Sequence, residues 1–302
     1  MVEDKEILKE YPLTQDYIDF NRYTRLHLSS SVRLLQNAFA LTDHHIYRLN
    51  LQHYLWRDLF GYTLHPKIPC KQQSLKVADV GTGTGIWLLD LSARLDPSTE
   101  FLGLDTNISQ VGPQEWLPTN MKLQQWDAST EVPHDLIEQF DIVHLRLFGF
   151  IIRDDPRIIM RSLIKMLKPG GYLQWSEADV ESWHIKTVSP DVPTDALTAL
   201  WRQSVPEGSR LLPTWVKGLP NAFEAEGLLD VEADWREGEP HTTLAIHWCN
   251  LHLYEMIARK LRPTNPEKAN EIEGLLLRAA AESRKGGMFS FKRVNVVGRK
   301  PE

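Results

Sequence analysis

The chain has 302 residues, 42% hydrophobic and 25% charged, an ordinary globular balance that allows a sizeable core and predicts about two domains, or one α/β domain with additions. Lys and Arg total 34 against 40 Asp and Glu, a net charge of −6 without any basic block, which argues against nucleic acid and anionic membrane as partners and favours a small neutral or apolar molecule. No apolar stretch nears the length of a membrane span, the charged start Met1 to Glu6 is unlike a signal peptide, and Cys70 and Cys249 form no C-x-x-C pair. A cytoplasmic protein without a metal site is expected.

Residues 14 to 62 read as helices rich in aromatic residues, with Tyr17, Phe20, Tyr23, Leu26 and Leu28 early. Ile46, Leu49, Tyr54, Leu55, Leu59 and Phe60 then recur at helical spacing, predicting one amphipathic helix over Asp43 to Phe60. Pro66 and Pro69 break the chain before a first strand, Leu75 to Val80, which runs into Gly81-Thr82-Gly83-Thr84-Gly85 and a helix from Gly85 to Leu95. Short apolar runs at Phe101 to Asp105, Met121 to Asp127 and Phe140 to Arg146 predict three more strands. A helix over Arg157 to Leu167 is stopped by Pro169-Gly170-Gly171, and a fifth strand follows to Trp175.

Beyond it, Glu181 to Pro193 reads as a loop, and either Thr194 or Asp195 can N-cap a helix toward Trp201. Pro213 to Gly227 predicts a helix and Leu229 to Trp235 a strand. Two helices, Ala245 to Leu261 and Pro266 to Ser283, precede a last strand, Met288 to Val297, expected to pair with Leu229 to Trp235 as the antiparallel edge of the sheet. The apolar faces of those two helices, with Ile246, Leu251 and Ile257 on one and Ile272, Leu275 and Ala279 on the other, are expected to pack on the N-terminal helices.

The glycine loop carries the chemistry. A dinucleotide fingerprint requires G-x-G-x-x-G, and its last position here is Ile86; the pattern is G-x-G-x-G, with no side chains to keep backbone N–H groups from a ligand. Followed by acids at Asp105 and Asp127, this resembles motif I and the succeeding strands of class I S-adenosyl-L-methionine (SAM) methyltransferases over residues 70 to 180. The resemblance implies a Rossmann-like seven-stranded α/β sheet, mostly parallel with an antiparallel last strand. It implies an N-terminal helical lid (1–69), a SAM-binding core (70–240), a helical insertion serving as lid or homodimer contact (241–285) and a last core strand (286–302). It also implies SAM as cofactor, held by Asp79, Gly81, Gly83, Gly85, Asp105, Thr106, Asp127, Ala128 and Arg146. Asp105 would take the ribose hydroxyls, Asp127 the adenine amino group and Asp79 the amino group of the methionine part. The alternatives for these acids are bland: a solvated strand residue at Asp79, a helix cap at Asp105 and a plain turn at Asp127-Ala128-Ser129.

Methyl transfer is an in-line displacement that needs alignment and exclusion of water before it needs a base. The candidate catalytic groups are His144, Glu177 and His184, with Tyr17, Tyr23 and Trp175 on the substrate side. His144 can equally be a satisfied core histidine, and Arg146 can pair with Asp141, Asp154 or Asp155 as scaffold. The runs Val77 to Trp87, Phe140 to Arg146 and Leu167 to Trp175 look like those of fungal secondary-metabolite methyltransferases, including the velvet-complex-regulator-like group. That implies methylation of N, O or S on a small metabolite; the alternative is a non-methylating SAM-binding cyclase or regulator on the same fold.

Overall fold

The computed structural model describes residues 43–72, 74–149, 151–152, 155–204 and 213–302. The expected substrate residues Tyr17 and Tyr23 lie outside the described residues.

In chain order the elements are helix α1 (Asp43–Phe60), β1 (Lys76–Val80), α2 (Ile86–Ser92), β2 (Glu100–Asp105), β3 (Met121–Gln125), β4 (Phe140–Arg146), α3 (Arg157–Met166) and β5 (Leu167–Thr187). They continue with α4 (Asp195–Ser204), α5 (Leu219–Ala225), β6 (Leu229–Arg236), α6 (Pro240–Leu261), α7 (Pro266–Arg284) and β7 (Gly287–Arg299). The seven strands form one sheet in the order β3-β2-β1-β4-β5-β7-β6. The first five pair in parallel; β7 lies antiparallel to both β5 and β6, so the expected edge pairing is present and reached through α6 and α7. Strand order reverses between β1 and β4, the switch point where an open α/β sheet receives ligands at its carboxyl ends.

Alternation divides the side chains between two faces. Ala78, Val80, Leu104, Val143, Leu145, Leu173, Trp175, Val294 and Val296 point into one core, closed by α3 and α5 through Met160, Leu163 and Phe223. The opposite face is apolar under α2, where Val77, Phe101 and Ile142 meet Trp87, Leu88 and Leu91. Toward the carboxyl ends that face turns polar, carrying Asp79, His144, Gln174, Ser176, Asn295 and Arg293, all buried.

Several expectations change at this level. The α1 helix has the expected bounds but a different buried face: Arg48, His53, Trp56 and Phe60 are buried, while Leu51 is 46% and Tyr54 44% exposed. The reason is the polar stripe beneath it, which rewards donors and acceptors: Trp56 Nε1 donates to Asn295 Oδ1 at 3.0 Å, and Tyr62, just past the helix, donates to Asp234 at 3.0 Å. Residues 181–187, expected in a loop, belong to β5, which stays paired with β7 to Thr187 across an irregularity between Asp179 and His184. The helix expected over Pro213 to Gly227 is a 3₁₀ turn (Thr214–Gly218) followed by α5, α2 ends at Ser92, and α6 begins earlier, at Pro240.

The apolar faces of α6 and α7 pack chiefly on each other and on Ala196, Leu197 and Leu200 of α4, with Phe289 of β7 beneath. Among the described residues, contact with α1 includes two polar links: Thr242 donates to Asp58 at 2.9 Å and the Cys249 thiol reaches the Arg48 carbonyl at 3.7 Å. Both cysteines are free.

Candidate active site

The three glycines of the β1–α2 loop all have left-handed backbones, with φ of +69° at Gly81, +55° at Gly83 and +71° at Gly85. A Cβ on Gly81 would stand 2.3 Å from Phe148 Cε2, and one on Gly85 would stand 2.8 Å from Val111 Cγ1. Gly83 differs: a Cβ there would meet only ordinary contacts, the nearest with Leu49 Cδ1 of α1 at 3.8 Å. The loop also spends its own donors. Gly81 and Thr82 N–H both bond the Leu104 carbonyl, at 2.8 and 3.0 Å, and Gly85 N–H bonds the Thr82 carbonyl at 2.8 Å. Gly83 N–H bonds Asp105 Oδ2 at 2.9 Å. A phosphate cradle needs such N–H groups unpaired. With these four committed, the loop suits a ligand that brings donors and positive charge.

Acids surround it accordingly. Asp79, at 3% exposure, takes His144 Nδ1 at 2.7 Å on one oxygen and Thr82 Oγ1 at 2.9 Å on the other. Asp105 is held by Gly83 on one oxygen and by Asn107 N–H, at 3.0 Å, on the other; burial pushes its carboxyl up from the usual value, against those hydrogen bonds. Its neighbour Thr106 donates to it at 3.3 Å, and the capping role falls to Asn107, which accepts from Ser109. Asp127 closes a turn, one oxygen accepting from Ser129 N–H at 2.9 Å and Oγ at 2.7 Å, with buried Ala128 between. Its second oxygen has no bond among the described residues.

Arg146 ends β4 with its Nη1 3.2 Å from His53 Nδ1; of the suggested scaffold acids, Asp154 lies outside the described residues, while Asp141 pairs with Lys168 and Asp155 with Arg157. His53 Nε2 lies 3.2 Å from Asp90, which also takes Arg57, Arg94 and Thr63. Burial first, then the Arg146 charge, lowers His53 to about 4, so the ring is neutral. It accepts from Arg146 and donates to Asp90. Sequence reasoning missed His53, Asp90 and Asn50, whose side chain takes Thr84 Oγ1 at 2.7 Å; nothing in their local spacing marks them. Together they seat α1 over the loop.

The acceptor-side residues separate. His144 is 1% exposed, lies flat on Trp87 at 3.8 Å and is kept neutral by burial; its Nε2 has no hydrogen-bond partner. Glu177 is buried on the other face of the sheet, accepting from Gly149 N–H at 3.0 Å and Ala178 N–H at 3.1 Å, and burial pushes it up to about 7. These bonds brace the turn after β4, where Leu147 has φ 61°. His184 is a strand residue 46% exposed and 3.1 Å from Glu237, not a loop residue. Trp175, expected beside the substrate, is a core residue at 0% exposure, edge-on to Trp215, because odd-numbered positions of this part of β5 point toward α3 and α5.

A methyltransferase domain profile matches residues 47–233, more than half of the chain. The protein belongs to the methyltransferase domain family. Among similar proteins are the methyltransferase grgD of a Penicillium species, 37% identical over 45% of this chain and 50% of its own length, and the N-methyltransferase gliN of Aspergillus fumigatus, 30% identical over 48% and 52%. The secondary metabolism regulator LAE1 of Hypocrea atroviridis is 32% identical over 44% of this chain and 37% of its own. The chain thus aligns with about half or less of each. A Haemonchus contortus phosphoethanolamine N-methyltransferase 2 solved with S-adenosyl-L-methionine superposes with a TM-score of 0.53 at 13% identity, covering 91% of this chain and 61% of that one, a likeness of fold. No described helix of this methyltransferase-family protein is long and apolar enough to cross a membrane.

Proposed function

We propose that this protein transfers a methyl group from SAM to an N, O or S atom of a small secondary metabolite, with nitrogen the atom to test first because three relatives are named N-methyltransferases. The observation that carries the reading is the donor-poor glycine loop between Asp79 and Asp105. SAM brings an ammonium, ribose hydroxyls and a sulfonium, which seek acceptors. Asp79 would take the ammonium, Asp105 the ribose hydroxyls, Asp127 and Ala128 the adenine, and Arg146 the carboxylate. Bound SAM supplies an activated methyl group, and the protein contributes binding, orientation and dryness.

His144 serves in this reading as a positioning residue. Its Nδ1–H fixes the Asp79 carboxylate, and the ring itself is sealed under Trp87. Asp90, through His53, holds Arg146 in the same manner. No side chain is assigned as an obligatory base: Glu177 braces the turn after β4 and His184 pairs with Glu237, so replacing either leaves measurable turnover. The helical lid of 1–69 and 241–285 is proposed to exclude water, supported by the contacts of α1 with the loop and with α6.

Incubating the protein with methyl-labelled SAM and an extract of fungal metabolites tests the reading. Label in a small-molecule product is expected. SAM binding without transfer to any metabolite would favour the regulatory alternative, and lack of SAM binding would refute both.

A further inference from the structure

The polar face of the sheet carries two buried guanidiniums. Arg146 has its place beside the glycine loop. Arg293 of β7 has none: at 5% exposure it forms no ion pair with a carboxylate among the described residues. Its one hydrogen bond is from Nη1 to the Phe291 carbonyl at 3.1 Å, and its charge lies 4.3 Å from the Phe291 ring centroid. A guanidinium has five N–H donors, so most of its capacity is unspent.

Asp179, beside Ala178 on β5, has a buried oxygen without a hydrogen bond among the described residues, but alternation sends it to the other face with Glu177. The other nearby acids are engaged. Glu237, which acts on Arg293 only from a distance, is shared by Lys186 at 2.6 Å, His184 at 3.1 Å and Ser290. Arg236, opposite Arg293 on β6, is matched by Asp234 at 2.8 Å. Glu177 and Trp175 point to the other face. An arginine keeps its proton when buried, and among the described residues only the Phe291 ring and the more distant Glu237 offset this charge, so an anion beside it would be favoured.

The surroundings suit a ligand of the transferase. Arg146 opposes Ser176 on β5, Ser176 opposes Asn295 on β7, and two residues further toward the carboxyl end of β5, Ala178 opposes Arg293. From strand spacing and rise, the Cα atoms of the two arginines are about 12 Å apart, with small side chains at Ser176 and Ala178 between them. The Cys249 thiol of α6 lies close enough to influence Arg293, and the next residue, Asn250, has a buried side-chain N–H₂ without a partner. Arg293 thus stands just beyond the end of β4, with α6 packed over it through Cys249.

We propose that Arg293 is an acceptor-side anion site and that the methyl acceptor carries a carboxylate, which this guanidinium orients. This rests on the methyltransferase reading and departs from the expectation of a neutral acceptor, since net charge averages over the surface and says nothing about one buried site. No bond to the methyl group is assigned to that carboxylate; it anchors the molecule whose N, O or S reacts.

The test uses the full chain saturated with S-adenosylhomocysteine, titrated by calorimetry with matched probes: indole-3-carboxylate against indole-3-carboxamide, and benzoate against benzamide. The acids are expected to bind at least about tenfold more tightly than their amides. In Arg293→Met that preference should fall to within about twofold, while Arg293→Lys, which keeps the charge, should retain part of it. S-adenosylhomocysteine affinity should be unchanged in both variants, which shows that they are folded. Equal binding of acid and amide by the unaltered protein, no binding of either, or a preference surviving in Arg293→Met would overturn the proposal while leaving the methyltransferase reading intact. Failure of the unaltered protein to bind S-adenosylhomocysteine would overturn both.

Discussion

Acid should loosen the helices above the sheet through His247 of α6. This ring is fully buried; its Nε2 lies 2.8 Å from Ser283 Oγ of α7, and its Nδ1 accepts from Phe289 N–H of β7 at 3.0 Å. The second bond requires an unprotonated Nδ1, and burial lowers the ring's pKa from the ordinary 6.5 to about 4. A base with a lower pKa in the fold than in the unfolded chain binds its proton first in the unfolded chain. Its contribution is therefore undiminished above pH 6.5 and is lost as pH falls toward 4, at about 1.4 kcal/mol per pH unit. The loss is about 2 kcal/mol by pH 5 and about 3 kcal/mol by pH 4, a large share of a typical domain's stability. Urea unfolding of His247→Gln and the unaltered protein from pH 7.5 to 4.5 separates this from every other titration, because only the difference in slope is read. The variant is expected to be less stable at pH 7.5 yet to lose about 1.2 kcal/mol less per pH unit between 6 and 4.5. Parallel stability curves for the two proteins would refute the reasoning, whatever their offset.

Other outcomes follow from the site. Asp105→Asn removes a charge shared by two backbone N–H groups and the proposed ribose contact, and should weaken SAM binding at least about tenfold by calorimetry; unaltered affinity would displace Asp105 from the cofactor site. Gly83→Val forces a β-branched residue onto a left-handed backbone, about 1–3 kcal/mol of strain, and crowds the approach to the loop, so stability should fall and SAM binding collapse; normal binding would place the cofactor elsewhere. Trp56→Phe strands the buried Asn295 amide and should cost about 1–3 kcal/mol in denaturant unfolding, an effect that a neutral result would deny. His144→Phe keeps the stack on Trp87 but frees Asp79, so the SAM KM should rise more than kcat falls; abolished turnover at saturating SAM would instead make His144 indispensable to the chemistry.

The parts legible in the sequence are those set by neighbours along the chain. Gly81, Gly83 and Gly85 announce a left-handed loop because their short-range backbone demands exclude other residues, and largely apolar runs of five to seven residues mark β1, β2 and β4. The bounds of α1 were readable for the same reason, whereas the pairing of β6 with β7 across two helices was expected only from the resemblance to the methyltransferase sheet. The direction in which α1 faces was not. Its periodicity suggested an apolar stripe, yet the helix buries His53 and Trp56, whose partners Arg146 and Asn295 lie 93 and 239 residues away. The length of β5 was hidden by a polar sequence that only pairing with β7 holds extended, and the parity of that strand decided that Trp175 enters the core while Ser176 faces the site. So the sequence by itself determined a parallel α/β sheet, its glycine loop and the acids after β2 and β3, because strand, turn and helix signals are local. Only the tertiary structure decided that His144 holds Asp79 and that Arg293 is buried with no carboxylate paired to it among the described residues. Both depend on which residues from distant strands share one buried face, where an unpaired charge or a missing hydrogen bond costs most.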